Sequence, residues 1–511
     1  MSTAERLTTL TNRILELERE NKQLHESVAY LTRKLYGRSS EKTSALSKGQ
    51  MSLFDEAEAE ANPKAPEPDL KEVKGYRRTK FRGQRAEILK DVPHDKRLCT
   101  LDERDRSCEC CGTDLVSVGE EFIRTEIEFI PAKVRAIDYY RETFECRACR
   151  KNGEPYMEKS PMPYPVIQHS MASPSTVAWV MHQKYVNALP LYRQEKEWES
   201  LGVGLSRATM ANWVLVASRD WLAPLVDLMH QKLLGETYLH ADETTVQVMN
   251  EKGRKNTIDS YMWVYSTGKH SQRPIRIFQY QPGRGGKYPQ EFLKGFKGFL
   301  HTDAYSGYNR ISGITRCLCW SHLRRNFVDA LPKDINSSEA TLAGQGIRYC
   351  NKLFEIEKTL EQLSCKDREL KRLEQAKPVL DAFWAWLHSI NQKVLPKSKL
   401  GKAIYYALNH REEFMNYLKD GDCSISNNLA ENSIRPFTIG RKNWLFSGSP
   451  RGAAASAAVY SIIESAKANG LNPYKYLNFI FSELPGVQFG QNPEFLEDYL
   501  PWSADIQTFC K

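Results

Sequence analysis

The stretch Thr237-Tyr238-Leu239-His240-Ala241-Asp242-Glu243-Thr244-Thr245-Val246-Gln247-Val248 sets a carboxylate inside a run rich in β-branched and apolar residues, the composition of a strand. Phe299-Leu300-His301-Thr302-Asp303-Ala304-Tyr305 repeats the pattern: Asp303 ends a second short strand-like run that closes at Gly307. A third acid, Glu431, lies in a segment of helical propensity entered through Ser426-Asn427-Asn428, which are good cap residues. One carboxylate means little in a chain with 63 Asp and Glu. Two on strands and one on a later helix make an oxygen-only donor set suited to Mg²⁺, or to Mn²⁺. Such a set can hold two metals about 3.5–4 Å apart and clamp the attacking and leaving oxygens of a phosphodiester. The chemistry indicated is phosphoryl transfer on DNA, with no protein nucleophile required.

Working outward, two more strand-like runs follow Asp242, Ser260 to Ser266 and Ile275 to Tyr280, and a helix-like stretch near Tyr288 to Leu293 precedes the run carrying Asp303. Three successive strands and then a crossover suit an α/β sheet whose carboxylates meet on neighbouring central strands. The interval from Asp303 to Glu431 is far too long for one connection in a compact domain. Most of Asp334 to Lys419 is helix-patterned, as in Lys352 to Leu363 and Pro378 to Ile390, and reads as an inserted helical subdomain. Beyond Glu431, Arg435, Arg441 and Lys442 bring positive charge toward the acids, with Trp444 and Phe446 behind them. These residues are candidates for holding a phosphate and stacking on a base, and Trp444 fits a core position equally well. Arg324 and Arg325 are candidates for DNA backbone contact. Cys317-x-Cys319 followed by His322 lacks a fourth ligand nearby and reads as core thiols. His240 and His301, each two residues before an Asp, read as residues that tune the site or pack beside it. The Ala-rich segment from Gly452 to Asn469 reads as a helix packed closely on the sheet.

The N-terminal third carries different signals. Leu7, Ile14, Val28 and Leu35 fall at a positions and Leu10, Leu17, Leu24 and Leu31 at d, a heptad pattern sustained for four turns of the repeat. Asn21 is the polar member at a, which favours a parallel two-stranded coil; packing on the protein's own body, or antiparallel pairing, is the alternative. An acidic, proline-containing linker follows, then a basic stretch from Lys74 to Arg85 with Tyr76 and Phe81 interleaved, either a phosphate-tracking arm or a solvated loop. Cys108-x-x-Cys111 and Cys146-x-x-Cys149 are two knuckle-like pairs able to complete a four-cysteine zinc site, although the interval between them is long and Cys110 offers a competing sulfur. Glu126 to Tyr140 alternates as ribbon strands would. From Ser173 to Leu222 the sequence predicts three helices: one opened by Pro174, one opened by Pro190 and stopped at Gly202-Val203-Gly204, and one capped by Ser206. Helix, glycine turn and capped helix is a helix-turn-helix pattern, with Arg207, Thr209 and Asn212 near the N-terminus of its second helix; the bland alternative is a helical connector.

Composition is consistent with this. The chain has 511 residues, enough for about three or four domains at roughly 150 residues each. It is 41% hydrophobic, and its net charge of +9 weakly favours a polyanionic partner. No run of about 18 apolar residues suggests a membrane span, and the polar, heptad-patterned start is unlike a signal peptide. Twelve cysteines in such a chain point to reduced thiols and metal ligands.

Asp242-Glu243-Thr244, Asp303-Ala304-Tyr305-Ser306-Gly307-Tyr308, Cys319-Trp320-Ser321-His322-Leu323-Arg324-Arg325, Asn428-Leu429-Ala430-Glu431-Asn432 and Gly440-Arg441-Lys442-Asn443-Trp444-Leu445-Phe446 together resemble the DDE transposases of the insertion sequence 66 family. The zipper, cysteine pairs and helical stretch occur in the same order, so the resemblance covers most of the chain. It implies a multidomain α/β protein whose ribonuclease-H-like core uses Asp242, Asp303 and Glu431 as its triad. The expected segments are a coiled coil over 1–47, a linker over 48–73, a basic arm and zinc ribbon over 74–160 and a helix-turn-helix-like domain over 161–232. Core halves over 233–332 and 423–485 flank an insertion over 333–422, and a tail occupies 486–511. It further implies a homodimer or higher oligomer acting on double-stranded DNA (element ends and target) in a bacterial cytoplasm at the nucleoid, with small accessory proteins as companions. A nuclease of the same fold, and a DNA-binding regulator that has lost activity, are the alternative readings.

Overall fold

The computed structural model describes residues 133–152, 156–332 and 341–511, together with Lys96, Leu98 and Phe122. The heptad positions Leu10, Ile14, Leu17, Asn21, Leu24, Val28 and Leu31, the linker, the basic arm, Cys108 and Cys111 lie outside the described residues, as does the side chain of Cys149. Residues 133–511 belong to one compact unit.

Among the described residues a small hairpin comes first: β1 (Thr143–Glu145) pairs antiparallel with β2 (Met157–Lys159), and α1 (Arg147–Lys151) lies between them in sequence. This corrects the expectation of ribbon strands up to Tyr140. Lys133 to Tyr140 forms no strand, and its apolar side chains, Val134, Ile137, Tyr139 and Tyr140, are exposed rather than alternating onto a covered face.

Next come α2 (Pro174–Tyr185), α3 (Leu191–Ser200), α4 (Arg207–Ala217) and, after a π turn at Ser218–Leu222, α5 (Ala223–Leu234). Their starts follow local chemistry. Ser173 accepts the Thr176 N–H, Ser206 accepts the Thr209 N–H, and Pro190 stands at the N-cap of α3. Gly202 adopts φ +82 in the turn between α3 and α4, where an L side chain would be strained.

The central sheet runs β5-β4-β3-β6-β7. β3 (Tyr238–Val248), β4 (Ser260–Thr267) and β5 (Arg276–Gln281) form an antiparallel meander. The chain then crosses through α6 (Lys287–Phe292) to β6 (Phe299–Thr302) and on to β7 (Thr315–Leu318), each parallel to its inner neighbour. After α7 (Trp320–Asp329) the helical interval contains α8 (Leu342–Leu360), α9 (Cys365–Lys371), α10 (Lys377–Asn391), α11 (Lys399–Asn409) and α12 (Arg411–Met415). The chain returns to the sheet with α13 (Asn428–Trp444) and β8 (Phe446–Ser447), which pairs with the far end of β3. α14 (Pro450–Ala468), α15 (Pro473–Glu483) and α16 (Ala504–Phe509) finish the fold.

Two cores hold this together. One joins α2–α5, the β3–β5 side of the sheet, α14 and α15, and reaches Leu496, Leu500 and Ile506 near the C-terminus. The other surrounds the indole of Trp320, wedged among Phe383, Trp384 and Phe414. It ties the inserted helices to β7 and α7. The small side chains of α14 allow close approach to edge strand β5, where Ser461 and Ser465 accept the N–H groups of Phe278 and Arg276 at 2.8 and 2.9 Å. An edge that would otherwise present open donors is thereby covered.

Candidate active site

Strand register builds the site. His240 on β3 is paired with His301 on parallel β6, so Asp242, two residues further along β3, and Asp303, one residue past the end of β6, follow the same register. The two imidazoles stack, centroids 4.4 Å apart and nearly parallel. Burial makes both rings weak bases, with His240 lowered to about 4. They are therefore neutral packing partners at physiological pH.

Asn427 then brings the third acid. Its amide nitrogen donates to the Ala241 carbonyl at 2.8 Å, and its Oδ1 lies 3.0 Å from His240 Nδ1. Asn427 is the N-cap of α13 but makes no side-chain cap bond, because that side chain is spent on β3. Glu431 follows in the first turn of α13. At the other end of the helix, Arg441 donates to the Thr245 carbonyl and to Thr244 Oγ1, so both ends of α13 are fastened to the strand that carries Asp242.

The acids sense one another. The Asp242 carboxyl is pushed up to about 8, first by burial and then by the Glu243 charge, with Asp303 and Glu431 adding to the rise. Glu243, not singled out from the sequence, is buried; it accepts from Arg284 at 2.7 Å and from the Tyr308 hydroxyl at 2.6 Å. Arg284 also lies 3.9 Å from Asp303. Glu431 is 3.8 Å from Arg325 and 3.6 Å from His322 Nδ1, and its buried Oε1 has no hydrogen-bond partner. Sets of three ligand atoms within 4.8 Å of one another occur among the described residues, but the Asp242, Asp303 and Glu431 carboxylates are not one of them. A pocket of carboxylates that raises one member so far, with an open carboxylate oxygen, is short of positive charge. Its all-oxygen donors fit a hard divalent cation.

The remaining predicted contacts divide by exposure. Arg207 and Asn212 are exposed on α4, Thr209 is half-buried at its cap, and Arg325, Arg435 and Lys442 are exposed. Arg324 instead donates to Asn351 on α8 at 2.6 Å, and Arg441 is held as above. Trp444 packs on the main core, edge-on to Tyr185, with the Lys184 ammonium 4.0 Å from its ring centroid. Cys319 is buried and accepts the Asn427 N–H at 3.1 Å. The sequence signal for His322 was its spacing from Cys319; only its position beside Glu431 gives it a role at the site.

An acidic centre at the meeting of strand ends and a returning helix defines a candidate phosphoryl-transfer class of site. The comparisons supply the family. The model described as "Transposase IS66 family" matches residues 169–455, and the chain belongs to the IS66 transposase family. The "zinc-finger binding domain of transposase IS66" matches 105–150, which supports a structural zinc there, "Transposase C of IS166 homeodomain" matches 23–97, and "IS66 C-terminal element" matches 461–502. Among curated proteins of Sinorhizobium fredii (strain NBRC 101917 / NGR234), uncharacterized protein y4jD is 28% identical over 96% of both chains. Uncharacterized protein y4hP is 28% identical over 81% of this chain and 76% of its own length. No solved structure matches. Among the described residues, no helix is long and apolar enough to cross a membrane.

Proposed function

We propose that this protein is a DDE transposase that cuts DNA at the ends of its own element and joins them to a target, working as a homodimer or higher oligomer. The observation that carries the reading is the parallel β3–β6 register, with Asp242 two residues past His240, Asp303 two residues past its partner His301, and Glu431 delivered by α13. An antiparallel meander followed by two parallel strands supports a ribonuclease-H-like core. Asp242, Asp303 and Glu431 would hold two Mg²⁺ or Mn²⁺ ions, which when bound supply charge neutralisation at the scissile phosphate and a more acidic water.

The chain's own residues do the rest. Arg284 and Tyr308 hold Glu243 fixed beside Asp242, and Asn427 fixes the entry of α13. Exposed Arg325, Arg435 and Lys442 face the DNA phosphates, while Arg207 and Asn212 read element ends from α4. The hydroxyl freed by cleavage is the nucleophile for joining, so no side chain forms a covalent intermediate. In the N-terminal part, Cys108, Cys111, Cys146 and Cys149 hold the structural zinc. Cys146 follows β1 directly, and its N–H donates to Tyr156 across the hairpin at 2.9 Å. Residues 1–35 pair two chains through a parallel coiled coil.

The test is transposition in cells from a donor plasmid carrying the DNA that flanks this gene, with wild type and Asp242→Asn. New junctions with wild type alone are expected. Cleavage without junctions would turn the reading to a nuclease, and silence from both despite specific end binding would turn it to a regulator.

A further inference from the structure

The parallel register continues past the two histidines. His301 on β6 is paired with Cys317 on β7, so His240, His301 and Cys317 form one row across three strands. The chain returning from the helical insertion lays Cys423 over the end of that row. One ring nitrogen of His301 and the sulfurs of Cys317 and Cys423 lie within 4.8 Å of one another, and all three residues are about 1% exposed. Both thiols are free. His301 Nε2 is buried without a hydrogen-bond partner.

We propose that His301, Cys317 and Cys423 form a buried structural site for a thiophilic d¹⁰ cation, Zn²⁺ or Cu⁺, distinct from both the acidic centre and the N-terminal cysteine pairs. Two sulfurs and an imidazole are the soft donor set such ions select. A disulfide between the thiols would leave the imidazole unsatisfied, whereas a cation uses all three groups. Charge also balances. Binding displaces two thiol protons, and the two thiolates left neutralise Zn²⁺ in a buried setting. The site would fasten the end of the insertion to β6 and β7, two residues before Asp303 on one side and a short loop before Asn427 and Glu431 on the other. The sequence hides it, because its three ligands come from three distant segments and Cys317 looks like part of a motif with Cys319.

The test uses the full chain purified without chelators, with zinc and copper measured per chain by elemental analysis. Wild type is compared with Cys423→Ala and with Cys146→Ser, which disrupts the N-terminal cysteine site. Cys423→Ala is expected to lose about one equivalent of zinc or of copper, the identity deciding the ion, while Cys146→Ser loses a different equivalent of zinc. Unchanged metal content in Cys423→Ala overturns the proposal, as does an intact mass that reveals a Cys317–Cys423 disulfide. Should Cys423→Ala fail to fold, demetallated Cys146→Ser protein is titrated with Co²⁺. A thiolate-to-cobalt charge-transfer band that weakens on a further Cys317→Ala change is then expected; no band, or one that this change leaves untouched, overturns the site.

Discussion

Asp242 shows how far burial and crowding can move one carboxyl. Its pKa rises from 3.8 to about 8, so between those values the folded protein keeps a proton that the unfolded chain has lost. Stability of the metal-free protein must therefore fall as pH rises through that window and level off above it. Asp242→Asn removes the titrating group, so its metal-free form should melt a few degrees above wild type at pH 8 and equal it near pH 4, measured by calorimetry. The same change should lower DNA cleavage by about three orders of magnitude, the scale expected when a group acting on developing charge is removed. A fall in stability at pH 8 would contradict the placement of Asp242 among like charges. Glu243 was not legible as part of this cluster: adjacent acids on a strand point to opposite faces, and only Arg284 and Tyr308 reveal where its carboxylate is held.

At the scale of elements, the insertion depends on one buried cation. Arg372 pairs with Glu357 at 2.7 Å and donates to the carbonyls of Tyr417, Asp420 and Cys423. It thus gathers α8 and the segment leading back to α13 around a single side chain. Arg372→Ala would strand a largely buried carboxylate and three carbonyls, and should destabilise the protein by about 3–5 kcal/mol in urea unfolding. An effect below about 1 kcal/mol would mean that water replaces the guanidinium. Many element boundaries were legible beforehand, since Ser173, Ser206 and Pro174 act through neighbours in sequence, and strand alternation is local. Asn427 stands at the N-cap as the sequence indicates, but its side chain makes no cap bond, because His240 and Ala241 take it from a distant strand.

At the scale of the whole molecule, the proposed dimer rests on the heptad pattern of residues 1–35. Removing them should turn a dimer into a monomer in light scattering, while the far-ultraviolet dichroism of the remainder keeps its α/β character; an unchanged mass would locate the interface elsewhere. Alternation, caps and the acidic segments made the meander, the helices and the candidate triad readable, because each depends on the residue types present within a few positions. Tertiary structure decided the rest. It joined the helices before Asp242 to the sheet in one core, consumed Arg324 and Arg441 in packing, placed His322 beside Glu431, and brought His301, Cys317 and Cys423 together. Those outcomes depend on strand register and on where a long insertion returns, which are set by packing between segments distant in the chain and leave no local pattern to read.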